Sequence, residues 1–262
     1  MFGFPLVANS HIAGGFSNLD RDAELFLKAA LITDARCTYA VNTFVMNLKR
    51  FNLWNKINCL YGFVGATHAA HRLNMKNPLA NTLSHSAAAY TNGIEGITGT
   101  GATTFTNFLA SQLSADSYSI GFYNRTQPTA GASQVFMGAA TGIGGLPRID
   151  LNYTSIAMTG VGTNQSVSKT ISLRDTIGFH VLSRTSLTEL SLYRNAELSA
   201  VNRTAATGSP PSSNISLFSL GGLLVTRSTC GLAFIGSGLS QTDVYNLNWA
   251  VQIFENSLQR QV

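Results

Sequence analysis

Apolar residues recur along this chain at two periods. Leu25, Phe26, Ala29 and Ala30 form one face. Thr33 and Asp34 restart the pattern, and Tyr39, Val41, Phe44, Val45 and Leu48 form the next. Steps of three and four are those of a helix with one side turned to a core. Asp20 stands where an N-cap belongs, with Asp22 and Glu24 in the first turn. Lys49 and Arg50 close the second run, so the charges suit both ends of the helix dipole. Residues 51–58 read as a further short helix, and Asn77-Pro78 ends the regularity.

From about Ile94 the pattern becomes one of short β-prone runs broken by Gly, Asn, Thr and Pro. Candidate strands are 103–108, 118–124, 134–138, 148–153, 168–173, 177–184, 189–193 and 214–220. Residues 190–198 read as a hairpin that turns at Arg194 to Ala196, and 208–213 as a surface loop. Strands spaced by roughly 8–12 residues indicate a sandwich or barrel and not βαβ units. The C-terminus returns to helix. Ser240-Gln241-Thr242-Asp243 resembles a capping box, and Val244, Leu247, Val251, Phe254 and Leu258 follow in steps of three and four. Two heptads are too few for a coiled-coil seam, so this stripe is expected to pack on the sandwich.

Composition narrows the class. The chain has 262 residues, enough to bury a full core, and charged residues make up 11% of it against a usual figure of about 25%. Such a lightly charged surface suits a protein partly covered in an assembly. The net charge of +5 is scattered without a basic run, so no nucleic-acid footprint is expected. No apolar run reaches the length of a membrane span, and the first residues lack the layout of a secretory signal. Three cysteines, Cys37, Cys59 and Cys230, are odd in number and irregular in spacing, and so are expected as free thiols. Residues 1–19 are uncharged and carry Phe2, Phe4, Pro5 and Phe16. They read as an arm that docks on the body or on a neighbouring subunit.

Candidate chemistry is sparse. His68 and His71 lie three residues apart, but no Cys, Asp or Glu nearby completes a tetrahedral site. His85 and His180 have no recognisable partner. Glu95, Asp116, Asp150, Asp175, Glu189 and Glu197 are isolated, and no catalytic carboxylate pair is legible. Gly142-Ile143-Gly144-Gly145 is too short for a dinucleotide loop, and no serine stands in a nucleophile elbow. Asp150, Asn152 and Asp175 are the only positions suggestive of calcium. No catalytic residue, metal ligand or cofactor is therefore assigned.

The helical segment and the tail together resemble a family of bacteriophage virion proteins. The matching words are Asp22-Ala23-Glu24-Leu25-Phe26, Ala29-Ala30-Leu31-Ile32-Thr33-Asp34, Ala40-Val41-Asn42, Leu48-Lys49, Leu53-Trp54-Asn55-Lys56-Ile57, Leu60-Tyr61-Gly62-Phe63-Val64-Gly65 and Asn74-Met75-Lys76-Asn77-Pro78. Near the end come Phe234-Ile235-Gly236-Ser237-Gly238-Leu239-Ser240 and Val251-Gln252-Ile253-Phe254, with Leu258 and Arg260. Gly62 replaces an expected proline, and residues 79–104 match poorly. The resemblance implies a mainly β protein, a concanavalin A-like, laminin-G-type jelly-roll sandwich with an N-terminal helical segment and a C-terminal helix. It also implies symmetric assembly with other virion proteins and no catalysis.

The expected organisation is an arm over 1–19, a helical preface over 20–78 and a sandwich over 79–262 ending in a helix. The expected function is that of a head- or tail-fibre or decoration protein, made in the bacterial cytoplasm and displayed on the virion. It would associate with itself, as a homotrimer, and with capsid or tail proteins, and hold a host glycan without nucleic acid or membrane insertion. Candidate ligand-binding residues are Tyr123, Asn124, Asn152, Tyr153, Tyr193 and Asn195, rings to stack on sugars and amides to bond their hydroxyls. The alternatives are a polysaccharide-cleaving enzyme on the same fold and a purely structural component with no ligand.

Overall fold

A computed structural model describes residues 19–85, 90–127, 134–139, 148–152, 157–162, 165–170, 173–221 and 224–262. Among them are the helices α1 (Arg21–Ala29), α2 (Ala35–Arg50), α3 (His68–His71) and α4 (Gln241–Ser257). The strands form two antiparallel sheets. The front sheet runs β13 (Glu197–Asn202), β12 (Glu189–Arg194), β11 (Gly178–Ser186), β6 (Tyr118–Asn124), β15 (Thr229–Gly236), β4 (Gly96–Gly99) and β3 (Tyr90–Gly93). β1 (Ile57–Tyr61) also pairs with β15. The back sheet runs β10 (Gln165–Thr170), β9 (Ala157–Gly162), β8 (Arg148–Asn152), β7 (Gln134–Ala139), β14 (Asn214–Leu217), β5 (Thr104–Leu109) and β2 (Ser84–His85). The expected β-sandwich with helical ends is what the chain forms.

The front sheet is apolar on both faces. Along β6, Tyr118, Ile120 and Phe122 point toward the back sheet and meet Phe136, Ile149, Ile215 and Phe218. Tyr123 points the other way, with Phe179, Val181, Leu232 and Phe234, into a second core under the helices. The molecule therefore has three layers: helices, front sheet and back sheet. Because successive side chains on a strand alternate faces, strands with two covered faces lose the polar half of the pattern, and every residue of β6 and β15 is buried.

Local chemistry starts and stops the helices. The Asp20 carboxylate accepts from the Asp22 amide at 2.9 Å, and Asp34 caps α2 by accepting from Cys37 N at 2.8 Å. Lys49 reaches back from α2 to Asp20 and Asp22, each at 2.6 Å. Ser240 and Asp243 form the reciprocal capping box of α4. Val244, Leu247, Val251 and Phe254 face the second core, each worth roughly 1.5–3 kcal/mol of transfer from water. Phe44 of α2 stacks on Phe254 at 4.6 Å, and α4 lies on the sandwich rather than in a coiled coil.

Three expectations are corrected, and one strand is added to those expected. Residues 51–58 are not a helix: a single 3-10 turn, Trp54–Lys56, leads straight into β1, because pairing with β15 outweighs the local helical pattern. β10 begins at Gln165, three residues before the expected strand, and Leu173, at that strand's expected end, opens a 3-10 turn over Leu173–Thr176. β14 ends at Leu217, where Phe218 turns to a positive φ of 63°. Finally, β15 is a central strand of the front sheet that the alternation of polar and apolar residues does not announce.

Candidate functional site

The topology gathers the expected ligand residues at one end of the sandwich. β6 runs toward this end and finishes at Asn124, which pairs with Gly178 at the start of antiparallel β11. β12 finishes here too, with Arg194 opposite His180, and its turn into β13 carries Asn195. Phe136, two residues into β7, stacks on the His180 ring with centroids 6.4 Å apart. Gln134 therefore lies at the same end, and its partner Leu151 brings the end of β8, Asn152, with it. Tyr153 lies outside the described residues.

The amides share one short segment. Asn124 Nδ2 donates to the Thr176 carbonyl at 2.8 Å, and His180 Nε2 bonds the same oxygen at 2.8 Å. A carbonyl only accepts, so the bond assigns the His180 proton to Nε2. Burial lowers the pKa of this imidazole to about 4 and keeps it neutral. Asn195 Oδ1 accepts from the Phe179 amide at 2.8 Å, and its own backbone is left-handed at φ 50°. Gly178, at φ 120°, lies against that amide, where a Cβ would come within 2.5 Å of Asn195 Oδ1. Arg194 closes the edge by donating to the Ile177 carbonyl and pairing with Asp175 at 3.1 Å. The Asn124 side-chain Oδ1 is buried with no hydrogen-bond partner in the structure.

The two tyrosines sit differently from a loop-borne sugar platform. Tyr123 and Tyr193 belong to the core beneath the helices, and Tyr123 Oη accepts from the Val262 amide at 3.1 Å. Burial pushes the Tyr123 phenol up to about 12. Register decides this: Tyr123 falls on the helix-facing side of β6 and so is turned away from water. The role of Thr176 was not legible in the sequence. Its contribution is a backbone carbonyl, which carries no residue signature, and His180 meets it only because the chain doubles back into β11.

Other candidate centres resolve as structure. His71 Nδ1 bonds Asn92 Oδ1 at 2.8 Å, and burial lowers its pKa to about 4, while His68 stacks on Tyr90. Among the described residues no three His, Cys, Asp or Glu side chains come together as a metal site. Cys37, Cys59 and Cys230 are free thiols. Glu255 pairs with Arg260, Glu95 with Arg125 and Glu189 with Arg203.

Comparison with solved structures meets the same architecture. The binding domain of Paraclostridial Mosquitocidal Protein 1 superposes with a TM-score of 0.50 at 10% identity, over 74% of this chain and 52% of that one. Botulinum neurotoxin type C, whose cell entry depends on two ganglioside molecules, gives 0.50 at 10% identity over 77% and 52%. Trypanosoma rangeli sialidase gives 0.50 at 8% identity over 83% and 39%. The likeness is one of fold. The chain is an antiparallel two-sheet β-sandwich, and it spans about half or less of the length of these proteins. No family model matches the chain, and no curated protein matches it in sequence. Among the described residues no helix is long and apolar enough to cross a membrane.

Proposed function

We propose that this chain is a carbohydrate-binding structural protein of a bacteriophage virion, a fibre or decoration protein that holds a host-surface glycan at the loop end of its sandwich. The observation that carries the reading is the accessible edge formed at that one end by Asn195, exposed on its turn, and the Asp175–Arg194 pair, with the fully buried Asn124 holding the Thr176 carbonyl beneath it. Amides and paired charges on strand ends are the groups that bond sugar hydroxyls. Support comes from the neighbours too: one depends on gangliosides, and the sialidase is known in complex with sialic acid. The virion setting rests on the sequence resemblance and on the 11% charge content, which suits a surface covered by other virion proteins and by further copies in a trimer. Of the carboxylates at this end, Asp175 is engaged by Arg194, and Glu197 stands exposed opposite that arginine on β13; the reading takes them as groups that bond sugar hydroxyls.

The test is a glycan array spanning sialylated and bacterial-envelope polysaccharides, read with the wild-type chain and with Asp175→Asn and Asn195→Gly. The reading expects selective binding that both substitutions weaken at least tenfold without loss of fold. Release of free sugar would instead identify an enzyme. An array with no bound glycan would leave a purely structural component.

A further inference from the structure

Among the described residues Asn74 and Asn124 are the buried asparagines, and the fold uses them in opposite ways. Asn74 engages its whole amide. Its Oδ1 accepts from the Leu60 amide at 2.9 Å and from the Lys76 amide at 3.0 Å, and its Nδ2 donates to the Ala80 carbonyl at 3.3 Å. Asn124, at the end of β6, donates from Nδ2 to the Thr176 carbonyl at 2.8 Å. A carbonyl only accepts, so the nitrogen has to face Thr176 and the oxygen is turned away. That Oδ1 is buried and accepts from no group of the protein.

A buried acceptor left unmade costs more than one neutral hydrogen bond returns. The Asn124 side chain therefore works against the stability of the sandwich. Nor does the Thr176 carbonyl depend on it, since His180 Nε2 bonds the same oxygen at 2.8 Å. The two donors differ in reach. His180 lies four residues further along and closes a local loop, whereas Asn124 stands 52 residues away and ties the turn to β6. The turn so tied is the 3-10 segment Leu173–Thr176, which carries Asp175 with 41% of its side chain exposed. From the other side Arg194 pairs with Asp175 at 3.1 Å but reaches the Ile177 carbonyl only at 3.3–3.4 Å, longer than a good N–H···O bond. A polar group that the core would be better without, at the foot of an exposed edge, marks stability given up for function.

We propose that Asn124 is a positioning residue: it holds the Asp175 turn where a glycan meets it, and it serves that placement and not the stability of the fold. The inference rests on the glycan reading for its ligand, while the order of the turn is measurable without one.

The test compares Asn124→Leu with the wild type and with Asn74→Leu. Leucine has the same number of side-chain heavy atoms as asparagine and removes both the bond and the unmade acceptor. The urea midpoint of Asn124→Leu is expected to equal or exceed that of the wild type. Hydrogen exchange at the amides of residues 173–177 should rise at least tenfold while the β15 amides stay unchanged, and binding on the glycan array should weaken at least tenfold. Asn74→Leu should do the reverse, with a lower midpoint because the Leu60 and Lys76 amides lose their acceptor, and with unchanged exchange at the turn. Asn124→Ala, which cannot overpack, repeats each measurement. A midpoint that falls in both Asn124 variants as far as in Asn74→Leu would make Asn124 structural and overturn the proposal. Exchange at the turn that stays at the wild-type rate, or a bound glycan whose affinity both variants leave intact, would overturn it too. A wild-type chain that binds no glycan removes the glycan reading alone, and the exchange rates then decide whether Asn124 orders the turn.

Discussion

Glu255→Gln should be among the most damaging conservative substitutions in this protein. Glu255 and Arg260 are fully buried, and the guanidinium donates to the carboxylate through Nε at 2.7 Å and Nη2 at 3.0 Å. Arg260 also donates to the carbonyls of Phe63, Gly62 and Gly231 at 2.7–2.8 Å, and Arg125 Nε donates to the Arg260 carbonyl at 2.6 Å. One side chain therefore fastens the C-terminal tail to the segment after β1 and to β15. Burial pushes the Glu255 carboxyl pKa upward while the Arg260 charge opposes it. Removing the negative charge leaves an uncompensated guanidinium in a dry site, which costs about 3–5 kcal/mol. That is a large part of the ~5–15 kcal/mol available to a whole domain. Urea unfolding followed by far-UV circular dichroism should show the midpoint falling at unchanged slope. Arg260→Met should cost as much, since three buried carbonyls lose their donor. The double variant should cost less than the sum of the two, because each single change strands the other's charge. A loss below about 1 kcal/mol for Glu255→Gln, the range of a solvated surface pair, would refute the claim that the pair works as a buried clamp.

Other consequences are equally open to measurement. His71 and His180 have pKa values lowered to about 4 by burial, so below the unfolded value of roughly 6.5 the unfolded chain binds protons that the folded chain refuses. Stability should be fully present above pH 6.5 and fall toward pH 4 by up to about 1.4 kcal/mol per pH unit per histidine; a flat urea midpoint over that range would contradict it. Gly178→Ala should lose about 1–3 kcal/mol, because φ is 120° and the new Cβ meets the Asn195 amide; a midpoint equal to wild type would show the turn can relax. Cys59 and Cys230 are buried, the first with its thiol pushed up to about 12 and the second raised by burial as well, while Cys37 is half-buried. A thiol reagent should therefore modify Cys37 alone in native buffer and all three in denaturant; rapid labelling of a second thiol in native buffer would mean the sandwich core opens.

What the sequence determined by itself is what short-range chemistry controls. Asp20, Asp34 and Ser240 each cap a helix within three residues of themselves, and the step of three and four names the buried face of α4. β6 and the hairpin of β12 and β13 were equally legible, since a turn with Asn195 and Ala196 at positive φ separates two β-prone runs. Only the tertiary structure decided the rest. β15 hides because its two faces are both covered, so it lacks a polar alternate, and β1 reads as helix until β15 pairs with it. Tyr123 looks like a surface ring until the register of β6 turns it under α4, while its neighbour Asn124 turns to Thr176. A one-residue step in a strand exchanges core for loop end. That parity is fixed by pairing with strands about fifty and a hundred residues away, which no local pattern contains.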